Sequence, residues 1–315
     1  MSLARLAATA ALAAYLVFAV GGAPAVAQQA IPRTPDGHPD FQGVWSTIGL
    51  TPLERMPGAT ALVASEAEAL KLARAAYDGI RAPTRMPDPN GLFANVGTLL
   101  RVNGEWRTSM ITDPPDGKLP FTADGMRYFT EEMARQDAVN SASYEVRPVF
   151  ERCLTGTGSP PMWLVPAENI RQIVQTPDHM MLYTEEGGDL RVFGINASHR
   201  PAALTSNLGD SVARWEGDVL VVETVGARDH AFPFFNNRYV VRRQSRVVER
   251  FSFVSPDEIL YRFTIDDPAV YTRPWSGEFS LNRARVRAYE FGCHEGNYSL
   301  PGILGAARIA DARKK

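Results

Sequence analysis

Apolar and polar residues alternate with a period of two along much of the second half of the chain. Ile170 to Gln175, Met180 to Glu185, Leu190 to Ile195, Ser211 to Trp215, Val219 to Val225, Arg246 to Val254 and Ile259 to Ile265 share the pattern, and Asn282 to Phe291 continues it. Successive side chains of a strand point to opposite faces of a sheet, so this pattern predicts strands with one buried face. Turn sequences separate them: Pro177-Asp178, Glu186-Gly-Gly-Asp189, Glu216-Gly-Asp218 and Ser255-Pro-Asp-Glu258. Short strands joined by tight turns, with no helices between them, predict an antiparallel meander. About eight strands is close to the number that closes a barrel able to hold one small ligand. The expected fold is mainly β, an antiparallel meander closing into a lipocalin-like barrel, with a twisted sandwich as the alternative.

The first half reads differently. Phe41 and Trp45 share one side of a short strand. Ser65 opens a helix, with Glu68 three residues on as its capping partner, and the Pro-rich stretch from Ala82 to Gly91 ends it. Arg107 to Thr112 is a strand candidate, followed by the turn Asp113-Pro-Pro-Asp-Gly117. A second helix is predicted from Thr122, with Met126, Phe129 and Met133 facing the core. The expected organisation is thus a leader over 1–27, an arm with two helices and short strands over 28–152, and the barrel over 153–315.

The leader follows from a basic start, an apolar run from Leu6 to about Val20 and the small residues Ala25-Val26-Ala27, the signature of a cleaved signal peptide. An uncleaved anchor is the alternative. Cleavage leaves roughly 290 residues, enough for a substantial core, and no second apolar run of spanning length. The protein is therefore expected in the periplasm or outside the cell. A formal charge of −2 supplies no basic stripe, which argues against nucleic acid and leaves a small molecule as the expected partner. In an oxidising compartment the two cysteines, Cys153 and Cys293, read as a disulfide, with two buried free thiols as the alternative.

Five stretches resemble a large group of secreted bacterial proteins known as hypothetical proteins. They are Arg33-Thr-Pro-Asp-Gly-His-Pro-Asp-Phe-Gln-Gly-Val-Trp45, Arg107-Thr-Ser-Met-Ile-Thr-Asp-Pro-Pro-Asp-Gly117, Trp215-Glu-Gly-Asp-Val-Leu-Val-Val-Glu-Thr224, Asp267-Pro-Ala-Val-Tyr-Thr-Arg-Pro-Trp275 and Cys293-His-Glu-Gly-Asn-Tyr298. The resemblance covers nearly all of the chain beyond the leader and implies export, but no reaction. This chain departs from the group at Val212-Ala213, where an Arg-Gly pair is usual, and at Arg242-Arg-Gln-Ser245. Gly43-Val44-Trp45 also resembles the Gly-x-Trp start of lipocalins.

The densest candidate chemistry lies near the end of the meander. If the stretch after Asp267 is extended, Tyr271, Arg273 and Trp275 fall on one side, an arginine between two aromatics suited to holding a carboxylate or enolate oxygen. A structural pairing of Arg273 with Asp267 is the plain alternative. His294, with Glu295 beside it, is a candidate proton shuttle, and a packed histidine at a strand end is the alternative. Arg191 faces the barrel interior or pairs across strands, and Tyr298 completes the candidate binding residues. No zinc-ligand spacing, nucleophile elbow or phosphate loop occurs; Gly156-Thr-Gly158 lacks the lysine a phosphate loop needs, so no cofactor is expected.

Three functions follow. In the first, the protein is a cofactor-free enzyme running elimination, isomerisation or cyclisation on a small oxygenated molecule. His294 is then the general base, Glu295 or Asp267 orients it or donates a proton, and Arg273 with Tyr271 holds the oxyanion. In the second, a binding or carrier protein uses Arg273, Tyr271 and Trp275 without chemistry. The third is a scaffold with a filled barrel.

Overall fold

The computed structural model of the chain describes residues 30–81, 97–136, 142–165, 167–204, 206–232 and 238–313. The expected leader and the Pro-rich stretch from Ala82 to Gly91 lie outside them, as do Pro233, Phe234 and Phe235 of His230-Ala-Phe-Pro-Phe-Phe235. The strands of the N-terminal part are β1 (Gly43–Thr47), β2 (Val63–Ala64), β3 (Arg101–Val102), β4 (Glu105–Arg107) and β5 (Ile111–Asp113). Then follow β6 (Asn169–Gln175), β7 (His179–Thr184), β8 (Asp189–Ile195), β9 (Asp210–Glu216), β10 (Val219–Val225), β11 (His230–Phe232), β12 (Tyr239–Val241), β13 (Arg246–Ser255), β14 (Glu258–Asp266) and β15 (Trp275–Arg283). The helices are α1 (Glu66–Arg81), α2 (Ala123–Gln136) and α3 (Ser299–Ala312).

Nine strands close into a barrel in the order β1, β6, β7, β8, β9, β10, β13, β14, β15 and back to β1. The strand that closes it comes from the N-terminal part. β1 pairs with β6 from Gly43↔Ile173 to Thr47↔Asn169 and with β15 at Trp45↔Arg283 and Ser46↔Asn282. The barrel therefore draws on both sides of residue 152, and the described residues from Ile31 onward form one compact unit. It is also not a pure meander. β8 and β9 run parallel and pair only at Gly194↔Val212 and Ile195↔Ala213.

The tight turns form as their residues dictate; Gly217, at φ +61, lets β9 return directly into β10. The last strand differs from expectation. It spans Trp275 to Arg283 instead of 282–291, and the expected extended stretch after Asp267 is a turn, with Val270 and Tyr271 N–H both donating to the Asp267 carbonyl. Beyond Arg283 the alternation continues in sequence, yet Arg285, Val286, Arg287, Tyr289 and Glu290 are all exposed. β15 offers them no edge, having β14 on one side and β5 with β1 on the other.

Both early helices form where expected, capped by Ser65, whose Oγ accepts the Glu68 N–H at 3.3 Å, and by Thr122, whose Oγ1 accepts the Gly125 N–H at 2.9 Å. Met126 is exposed while Phe129 is buried, so the inward stripe of α2 is narrower than expected. A third helix, α3, follows the Cys293 region and has no buried residue.

Each end of the barrel is stoppered. At one, His38 stacks on Trp215 with ring centroids 4.4 Å apart, and Phe41 stacks on Phe253 at 4.9 Å. Arg33 of the same arm pairs with Asp218, so two of the motifs behind the family resemblance touch each other. The opposite end is filled by residues 155–165, all buried and in no regular element.

Candidate functional site

A row of polar side chains lines the inner wall of the barrel. Arg171 of β6, Thr184 of β7 and Asp189 of β8 stand directly opposite one another across three adjacent strands, on one face, and all are buried. Arg191, two residues along β8, projects to the same side. Its Nη1 and Nη2 donate to Oε1 and Oε2 of Glu249 on β13 at 2.9 and 2.5 Å, the forked geometry a guanidinium offers a carboxylate. Nη2 also donates to Thr224 at 3.1 Å and Ser211 at 3.2 Å. The Tyr261 hydroxyl of β14 donates to Glu249 Oε1 at 2.7 Å.

This network has a consistent electrostatic logic. Burial lowers the pKa of Arg191, but the Glu249 charge and its hydrogen bonds outweigh it, so the net shift is upward. Burial, then Glu249, hold the Tyr261 phenol well above its usual value, so it remains a donor. Burial pushes the Asp189 carboxyl up, against two backbone N–H groups and both arginines that pull it down. Charges taken this far from water require such partners.

The strap over residues 155–165 has to satisfy its backbone without a ladder, because a buried unpaired N–H is costly. The barrel wall supplies the acceptors. Asp189 Oδ2 accepts the N–H groups of Gly156 and Gly158 at 2.8 Å each, the Tyr261 hydroxyl accepts that of Met162 at 2.9 Å, and Asn169 Oδ1 accepts that of Val165 at 3.0 Å. Pro160 and Pro161 have no N–H to satisfy. The glycines in Gly156-Thr-Gly158 thus serve a carboxylate of the protein itself. Gly156 also lies against Gly187 of the β7–β8 turn so closely that a Cβ on Gly187 would stand 2.3 Å from its Cα.

Three buried polar atoms on this wall have no hydrogen-bond partner among the described residues: Arg171 Nε, Arg191 Nε and Thr184 Oγ1. Arg171 is the most exceptional. Its Nη2 donates to the Trp163 carbonyl at 2.8 Å and Nη1 to the Asn169 carbonyl at 3.5 Å, both neutral acceptors. Burial lowers its pKa and Tyr261 and Asp189 oppose this, leaving it at about 10, so it is still a cation at neutral pH.

The residues singled out from the sequence occupy separate environments. Cys153 and Cys293 form the expected disulfide, with Cα atoms 5.7 Å apart. His294 and Glu295 are exposed in the turn beside it, and Tyr298 is 83% exposed. Asp267 is buried and accepts from Arg242 Nε and Nη2 at 2.9 and 2.6 Å and from the Ser245 hydroxyl at 2.7 Å. Its partner is therefore Arg242 and not Arg273, which is half exposed and pairs with Asp113.

Tyr271 and Trp275 are core residues, packed edge to face at 5.7 Å. The Tyr271 hydroxyl donates to the Val240 carbonyl at 3.0 Å and accepts its N–H at 2.9 Å, consuming the polar tip. Because the chain bends at 272–273, between the bridge at Tyr271 and the start of β15, Arg273 does not share their side. Among the described residues no hydrogen bond or ion pair joins any two of His294, Glu295, Asp267 and Arg273. Arg191, by contrast, does face the interior. The sequence reading passed over Arg171, Thr184, Asp189, Glu249 and Tyr261; polar residues on an inward face alternate just as outward ones do, so pattern alone does not mark them.

No described helix is long and apolar enough to cross a membrane. The chain matches no protein-family model and no curated protein.

Proposed function

We propose that the protein is exported and binds a small oxygenated molecule against the polar wall inside its barrel, without turning it over. The observation that carries this reading is the set of unpartnered donors on one wall, Arg171 Nε, Thr184 Oγ1 and Arg191 Nε. Buried polar groups in folded proteins find partners almost without exception, so several orphans on one wall mark a place for an added acceptor. Support for export is the leader-like sequence over 1–27 together with the disulfide, which belongs to oxidising compartments. The proton-transfer mechanism expected from the sequence needs His294 within reach of Asp267 and Arg273, and among the described residues no hydrogen bond or ion pair joins His294 to either.

The test is native mass spectrometry of protein purified from the periplasm, followed by calorimetric titration with any molecule that it releases. A bound small molecule is expected, and His294→Ala should leave its affinity within about twofold. Loss of affinity in that variant, or turnover that depends on it, would replace binding with catalysis. Protein that carries no small molecule and accepts none from a panel of oxygenated compounds would favour a scaffold.

A further inference from the structure

Resting on that reading, we propose that the interior wall seats a carboxylate, with Arg171 as its counter-ion and Thr184 as its second donor. The argument begins with charge. Arg191, Arg107 and Arg147 are also buried, and each pairs with a glutamate: Glu249, Glu278 and Glu151. Arg55, 9% exposed, has Ser109 Oγ and the Pro115 carbonyl, whereas Arg171 is 0% exposed and has no carboxylate within ion-pair distance among the described residues. A guanidinium keeps its proton under these conditions, so the charge cannot be relieved by neutralisation. Its two contacts are neutral carbonyls, and the Phe279 ring, 5.8 Å from Cζ, covers it from the side. An anion is the missing component.

Geometry then selects the anion. Arg171 and Thr184 are direct cross-strand partners on the inner face, and each carries an unpartnered donor, Nε–H and Oγ1–H. Arg191 Nε adds a third open donor two residues beyond Asp189 on the next strand. A planar carboxylate, with two acceptor oxygens and no donor, suits adjacent open donors of this kind. Asp189, the nearest carboxylate in the row, does not fill the role. Its Oδ2 is committed to Gly156 and Gly158 of the strap, and those N–H groups offset the side of its charge that a second anion would meet. The strap itself covers the wall, with the Trp163 carbonyl on Arg171, so the ligand exchanges only when residues 155–165 part from the barrel.

The experiment titrates the intact, disulfide-bonded protein with acetate and propionate, and with acetamide as the neutral isostere. Calorimetry reads the affinity, and arginine-selective nuclear magnetic resonance reads the buried Nε–H signals. Carboxylate binding should shift the Arg171 and Arg191 Nε–H signals, with acetamide at least tenfold weaker. Arg171→Gln should weaken acetate at least tenfold. Thr184→Val keeps the shape and charge of the wall, serves if Arg171→Gln does not fold, and should cost roughly fivefold.

Acetamide binding as tightly as acetate, or acetate binding unchanged in both variants, would overturn the carboxylate seat while leaving small-molecule binding in place. No response to any probe, with a high-resolution crystal structure showing only ordered water on Arg171 Nε and Thr184 Oγ1, would overturn both.

Discussion

Asp267 closes β14 with its carboxylate committed to Arg242, Ser245 and the Ala269 N–H. Burial raises its pKa, but the hydrogen bonds and charge of Arg242, with Ser245, outweigh that and lower it below the ordinary aspartate value of 3.8. A depressed carboxyl stabilises the folded state fully above 3.8, and that contribution disappears as pH falls through the lower folded value. Thermal unfolding followed from pH 6 down to about 2 should therefore show a smaller decline for Asp267→Asn than for the natural protein, because the variant has no proton to take up there. Equal slopes would place the acid sensitivity elsewhere. At this scale the sequence was informative in part. Arg191 and the two cysteines were found from it. Tyr271 and Trp275 look like site residues in the sequence because aromatics that fill a core and aromatics that line a pocket have the same composition, and only the bend at 272–273 turns Arg273 away from them. Arg171 was missed because its burial without a carboxylate is visible only once β1, β7 and the strap surround it.

The strap is the element on which the interior depends, and its weakest tolerance is steric. Gly187, at φ +95, presses its backbone against Gly156 of the strap, with no room for a Cβ. Gly187→Ala should cost roughly 2 kcal/mol or more in urea unfolding, since it combines an unfavourable backbone region with a contact that must separate. Gly217→Ala provides the control: φ is +61 but nothing stands within 4 Å, so only the backbone cost of about 1 kcal/mol remains. Similar losses at both sites would mean that the strap is not tightly seated. Among the elements, β6 to β10, β13 and β14 lie within a residue or so of the alternating runs that predicted them. β15 was misplaced because alternation reports which side chains could be buried, not whether a neighbouring edge exists to bury them. The strap was invisible because its buried backbone relies on Asp189, Asn169 and Tyr261, all distant in sequence or on other elements.

For the whole molecule, the disulfide joins Cys153, two residues before the strap, to the segment after β15, across a separation of 140 residues. Closing a loop of that length restricts the unfolded chain by about 4 to 5 kcal/mol in the chain-entropy account. Replacing Cys153 and Cys293 together by Ser should lower the urea midpoint and steepen the transition, because the released unfolded chain exposes more surface. A loss below about 1 kcal/mol would show that the strap and C-terminal segment are held by packing alone. Barrel architecture was legible as a class, from strand number and turns. The strand that closes it was not, because β1 precedes both helices and is separated from its partners β6 and β15 by much of the chain. That arrangement sets the order in which the molecule is made. A polypeptide emerging with its amino end first presents β1 long before β6 exists, and the second partner is finished only at Arg283. Until then the sheet has two open edges, which invite pairing between chains. Closure is a late, non-local event, and the nascent protein needs shielding from its own copies until that last seam forms.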